Sequence, residues 1–495
     1  MDLKHFLPIQ TWFRRAVLPG FVFMLVYCQY AHAQPQSIND ILPLLMDNNA
    51  TIRREAVLTL SMRGPQATAK ERKAIVEALA PLLADEDEYL RQNTAFALMN
   101  LVPESASAIP ALLEHLGHES SLVRRPCATA LGAIVPANKS LAPETIRTVV
   151  SALTGLLADE DPLLRHDAAL ALHDFGPDAQ TALPALLGLV QDDSDTARQG
   201  ALAALAGICM FPETWPSIPS PETPDVFLAS SLALALADQN ATIRLQAAET
   251  MTALFESTAS HWSPGSLNIL SQALSTALAD DLDNLRLKSC EALIFLGREL
   301  LHQARTPRVA AKNTPQANAT LPPPTVPYYQ TIDALLDHLG DPNSFVRWRA
   351  AQALDVLCGD YSAMPSRPCA GAGPCQGSPA NDIVQALTGL LQDKNLLVKQ
   401  AAAQALGHGM APRRDDSGPL DTDQPSPGWD QQATNATREA VLSRLKSLLA
   451  DEAGIVRETS AWALAVIEPE QERDLPPELL GRLTDLREEL NPKEY

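Results

Sequence analysis

Ten times along the chain an Asp-like residue is followed six positions later by an Arg-like one. The pairs are Asp47/Arg53, Asp85/Arg91, His118/Arg124, Asp159/Arg165, Asp192/Arg198, Asp238/Arg244, Asp280/Arg286, Asp341/Arg347, Asp393/Lys399 and Asp451/Arg457, with His118 and Lys399 the two departures. Successive Arg-like positions lie 38, 33, 41, 33, 46, 42, 61, 52 and 58 residues apart. Self-similarity at such a period restricts the chain to architectures that stack one supersecondary unit on the next.

The frame around each pair fixes what the unit is. Counting from the Arg-like residue, the position before it is apolar in all ten units, from Ile52 and Leu90 to Val398 and Val456. Three places after it stands a small residue (Ala56, Thr94, Cys127, Ala168, Ala201, Ala247, Ser289, Ala350, Ala402, Ser460). Seven places after it stands Leu, or Met251 in the sixth unit. Steps of four and four trace one face of an α-helix, and the small residue in the middle admits a close neighbour. Two places after the Asp-like residue, eight of ten units carry an N-cap type: Asn49, Asp87, Ser120, Asp161, Ser194, Asn240, Asn343 and Asn395. A side-chain oxygen there satisfies a free amide of the first turn, worth about 1 kcal/mol.

A second apolar pattern precedes each turn. It ends in an aliphatic residue two places before the Asp-like one, as in Leu45, Leu83, Leu116 and Val190. Each unit is therefore helix, tight turn, helix, and one such hairpin cannot bury its own apolar faces. The acid sits near the amino end of the second helix, where negative charge is favoured, and the Arg stands one turn further in. Repeated in every layer, the two can link adjacent turns as a ladder of charge-assisted hydrogen bonds. Ten equivalent pairs are a poor catalytic constellation, because a site needs convergence.

The pattern resembles HEAT repeats, in particular the short variety of phycobilisome-lyase-like proteins, over about residues 37–468. The resemblance implies an all-α fold: a right-handed α-solenoid of about ten HEAT-like hairpins whose second helices line the inner surface. It implies a protein-binding or scaffolding role more than catalysis, and no cofactor. Two enzyme precedents exist in the wider family, bilin lyases and deoxyhypusine hydroxylases, which hold two irons on His-Glu pairs. Only His118-Glu119 matches that pair here, at a turn position. His166-Asp167 and His173-Asp174, seven residues apart on one helix, are the weak metal candidates. On the inner face the candidate partner contacts are Phe96, Trp348, Arg349, Gln352 and Trp462, since exposed aromatics and Arg dominate interfaces.

Residues 1–33 stand outside the repeats. Lys4, Arg14 and Arg15 precede an apolar run from Ala16 to Cys28, and Ala31-His32-Ala33 is a small-x-small cleavage pattern. This reads as a secretory signal peptide, and the run is short for a membrane span. The expectation is an exported, periplasmic or extracellular protein of bacterial type with no membrane attachment after cleavage. Cleavage would remove three positive charges and one negative (Asp2), taking the net charge from −21 to −23. That disfavours nucleic acid, whose phosphates need a basic face, and leaves protein partners. Cys369 and Cys375 flank a Pro/Gly-rich loop, and in an oxidising compartment they are the expected disulfide.

The resulting organisation is a signal peptide (1–33), repeats 1–7 (37–301), a Pro-rich linker (302–330) read as a hinge, repeats 8–10 (331–468), and a capping helix with tail (469–495). Loop insertions are expected at 211–224, 359–381 and 408–437, where Pro, Gly and polar residues cluster.

Overall fold

The computed structural model describes residues 37–211, 213–214, 223–258, 261–311, 326–358, 379–410 and 431–490. Among these the regular structure is entirely helical. The ten second helices are α1 (Ala50–Arg63), α2 (Glu88–Met99), α3 (Ser121–Ala137), α4 (Pro162–Phe175), α5 (Asp195–Cys209), α6 (Ala241–Thr258), α7 (Asp283–Ala311), α8 (Ser344–Cys358), α9 (Leu396–Gly409) and α10 (Gly454–Ile467). The layer number of each hairpin is taken from its second helix. The chain divides into two compact units, Met1–Ala130 and Leu131–Tyr495, the boundary falling within α3.

The helices start where their caps dictate. The side chains of Asn49, Asp87, Asp161, Asn240, Asn343 and Asn395 each accept an amide of the first turn, at 2.9–3.0 Å for the closest bond. Ser194 occupies the same position without making that bond. The Asp-like residue supports the turn from the other side: its Oδ1 accepts the backbone amide two places on, as from Asn49 to Asp47 at 2.7 Å and from Ala453 to Asp451 at 3.0 Å.

The small residues three after the Arg are all buried, Ala56 at 2% and the other nine at 0%. The Leu or Met seven after it is at most 1% exposed in every layer. Burying such a side chain stabilises by roughly 1.5–3 kcal/mol, and here the cover comes from neighbouring layers. Close approach shows at Gly200, where an added Cβ would lie 3.0 Å from the His166 backbone oxygen. Cys127, Cys209 and Cys290 are buried, and burial pushes the thiols of Cys127 and Cys209 up to about 12. They serve as small core side chains.

Within the first unit, Arg53 Nη2 donates to Asp85 of the next turn at 2.9 Å. In the second unit the same link runs from Arg165 to Asp192 (2.7 Å), Arg198 to Asp238, Arg244 to Asp280, Arg286 to Asp341, Arg347 to Asp393 (each 2.7 Å at its shortest) and Lys399 to Asp451 (2.6 Å). Each Arg is also anchored at home: Arg286 Nη1 donates to the carbonyls of Asp280 and Asp281 at 2.9 and 3.2 Å, and Arg457 to Asp451 and Glu452 at 2.7 and 3.0 Å. One Nη thus ties the helix to its own turn, while the remaining edge reaches the following layer.

Two expected loops are partly helical. Helix α7 continues to Ala311 and the first helix of layer 8 starts at Val326, so only 312–325 of the expected linker lies outside the described residues. Arg286 bonds Asp341 through two nitrogens, and Ser271 meets Thr331 at 2.6 Å, so layers 7 and 8 stack as the others do. Likewise residues 431–437 belong to the helix Gln431–Leu448. At the carboxyl end Pro477–Leu490 forms the expected amphipathic helix, with Leu479, Leu483 and Leu486 buried.

Candidate functional site: a groove on the second helices

The second helices of layers 6–9 bound a groove of about 550 Å³. Its walls are built by register. Glu249 and Glu256 project from α6, Lys288, Glu291 and Phe295 from α7, Arg349, Gln352, Asp355 and Val356 from α8, and Gln404 from α9. Most stand two, five, eight or nine places after the Arg-like residue. The face is therefore centred on the second and fifth positions, with Trp348, just after Arg347, half-buried at its edge.

The two cations of the groove are already engaged. Lys288 Nζ donates to Glu291 at 2.7 Å, and Arg349 lies 3.2 Å from the other Glu291 oxygen. Arg349 also donates to Gln352 at 2.9 Å and stacks over the Trp348 ring, 4.3 Å from its centroid. Trp348 meets Phe345 edge-on at 6.5 Å, and Phe345 is 51% exposed. Glu249 and Glu256, two turns apart on α6, are exposed and make no ion pair among the described residues. Four carboxylates against two cations leave the groove net negative.

Asp355 closes one end. Both of its oxygens lie 3.0 Å from Nδ1 of His408, whose ring stands edge-on to Trp462 at 5.0 Å. Trp462 itself is 0% exposed. Its place among the partner contacts is thus corrected: Gly407 leaves room that any Cβ would take from the ring, so Trp462 fills the space between layers 9 and 10.

The remaining candidates fall as follows. Phe96 is 45% exposed on α2, in the first unit. Arg349 and Gln352 are part of the groove. His166 is 9% exposed and holds the Thr196 carbonyl at 2.9 Å through Nδ1, packed against Gly200 of α5. His173 lies 2.9 Å from Asp174, its neighbour. No three His, Cys, Asp or Glu among the described residues are placed to hold a metal ion, and His166, Asp167, His173 and Asp174 form no such group. Cys369 and Cys375 lie outside the described residues. Sequence reasoning missed Glu249, Glu256, Lys288, Glu291 and Phe345; a charged residue five places after the Arg in layers 6 and 7 was the available signal.

A HEAT-repeat family profile matches residues 76–146 and 137–206. Among solved structures, an engineered protein covers 88% of this chain at 21% identity with a TM-score of 0.51, and 99% of that protein is matched. Importin beta covers 92% at 16% identity with a TM-score of 0.52, this chain spanning 54% of importin beta. Kap95p, in a structure with RanGDP, covers 87% at 17% identity with a TM-score of 0.51, half of its length being matched. Residues 76–206 carry HEAT repeats, and the fold is an all-α solenoid like those of these structures. No curated protein matches its sequence.

Proposed function

We propose that this chain is an exported, non-catalytic scaffold that docks a protein partner on the second helices of layers 6–9. The observation that carries the reading is the groove's composition: a surplus of carboxylates, led by Glu249 and Glu256 with no ion pair among the described residues, beside the exposed Phe345 and the half-buried Trp348. Aromatic anchors supply contact area at low entropic cost, and the charge selects for orientation and partner. The occupant is accordingly a protein segment carrying Lys or Arg beside apolar side chains. Kap95p, a solenoid of similar fold, acts on RanGDP, a protein partner. Export is proposed from the basic, apolar and small-x-small order of residues 1–33. No helix among the described residues is long and apolar enough to cross a membrane.

A photo-crosslinking residue at position 352 tests the docking face, with exposed position 272 on a first helix as control. Capture of a discrete partner at 352, lost on pairing Glu249→Lys with Glu256→Lys and absent at 272, is the expected result. Equal capture at both positions, or capture indifferent to charge reversal, overturns the reading. Fractionation of chains with and without residues 1–33 tests export.

A further inference from the structure

The ladder has one layer, the third, in which the acid is replaced. Arg91 is anchored as its equivalents are: Nη1 donates to the carbonyls of Asp85 at 2.6 Å and Glu86 at 3.0 Å. In layer 1 the same anchor leaves the other edge of Arg53 on Asp85 of the next turn, and by that register the other edge of Arg91 is directed to the turn of layer 3. The residue waiting there is His118. Its Nδ1 accepts the Ser120 amide at 3.0 Å, the bond that aspartate Oδ1 makes in the other layers. Asp85 Oδ1 accepts both the Asp87 amide and Arg53, but an imidazole nitrogen has a single lone pair, already taken here by Ser120, and where aspartate has its second oxygen the ring has a C–H. Arg91 therefore loses its acceptor. It is 7% exposed; its Nε is buried and unbonded as in Arg53 and Arg165, but where those two give Nη2 to an aspartate, no bond from Arg91 to an anion is present among the described residues.

A desolvated guanidinium without an anion is costly, and its planar fork matches an oxyanion through two parallel bonds. The surroundings favour the same ligand. Arg124 approaches residue 118 from its own layer, with Nη1 on the carbonyls of His118 and Glu119 at 2.8 and 2.7 Å. Helix α3 starts at Ser121 with no acidic residue in its first turn, so its amino end adds positive potential. Glu119 contributes its carbonyl to Arg124, and its side chain is exposed. We propose that the turn of layer 3 is a site for a small oxyanion of the carboxylate or phosphate class, held by Nε and Nη2 of Arg91 in the fork that the ladder elsewhere gives to aspartate.

The test is titration of the full chain with inorganic phosphate, and separately with acetate, each replacing chloride at constant ionic strength. Binding heat and thermal midpoint are both read. The wild type is expected to bind at least one of the two anions and to melt higher in it. A response to phosphate alone assigns the phosphate class, and a response to acetate assigns the carboxylate class. His118→Asp rebuilds the regular rung. It should bind at least about tenfold more weakly, as expected for loss of a charge-assisted pair, and should melt higher in chloride. Asp85→His creates the same arrangement opposite Arg53 and should gain a second binding event. Equal responses of wild type and His118→Asp, or no added binding in Asp85→His, would overturn the proposal.

Discussion

Replacing Arg286 by Ala isolates what one rung contributes. Arg286 is 12% exposed and bonds Asp341 through Nε at 2.7 Å and Nη2 at 3.1 Å; the Asp341 side chain is only 4% exposed. Once the guanidinium is gone, the carboxylate keeps one partner, the Asn343 amide at 2.7 Å. Breaking a buried pair by removing one member costs about 3–5 kcal/mol. The surviving amide bond places this case near the lower end, at about 3 kcal/mol. Asp341→Asn retains the cap and leaves Arg286 bonded to Asp283 at 2.8 Å, so about 1–2 kcal/mol is expected. The double variant should cost less than the sum, with a coupling of about 1.5 kcal/mol. Lys73 and Glu77, 4.0 Å apart and 66% and 64% exposed, provide the contrast, where Lys73→Ala should cost no more than about 0.5 kcal/mol. Chemical denaturation followed by circular dichroism measures all of these. A coupling under about 0.5 kcal/mol would show that the rungs are decoration on helices packed by other means.

Three further outcomes follow from the same geometry. Ser289 and Ser460 bury hydroxyls with no partner at the small position of the frame, so Ser→Ala at either should be neutral or stabilising by up to about 1 kcal/mol in the same denaturation assay. Gly407→Ala should destabilise by about 2 kcal/mol despite better helix propensity, because its Cβ meets the Trp462 ring, and a smaller side chain at 462 should recover much of the loss. For pH, burial raises but the Arg286 and Arg347 hydrogen bonds lower the carboxyls of Asp341 and Asp393, leaving both below the ordinary value, while Lys399 holds Asp451 down. Depressed folded values mean stability that is complete above the unfolded aspartate pKa of about 3.9 and lost as pH falls through the folded ones. Unfolding midpoints should thus be flat from neutral pH to about 5 and drop steeply below about 4.

What could be read from the chain was whatever one layer imposes on itself or on the next in register. The caps at Asn49, Asp161 and Asn395 depend on residues two places apart, and the rungs on a spacing of six that recurs. Exposure on the second-helix face depends on what the neighbouring layer places opposite. Trp462 and Gln352 occupy equivalent positions, yet Gly407 lets the first sink between layers while the second lines the groove. The charge surplus of that groove arises from three helices far apart in sequence, so no local window contained it. Composition also misled at 302–311 and 431–437, where Pro and polar residues suggested loops but the adjoining helices extend through them. Adding residues to a formed helix is easier than starting one.

The most direct measurement of the whole account is the circular dichroism of an isolated hairpin. Layer 9, residues 379–410, contains both helices and the capping Asn395, with Val398, Ala402 and Leu406 all at 0% exposure in the chain. As a separate peptide it should be largely unstructured at low concentration, because the surfaces that hide those side chains belong to layers 8 and 10. A monomeric, cooperatively melting helical hairpin would contradict the claim that each layer is held by its neighbours.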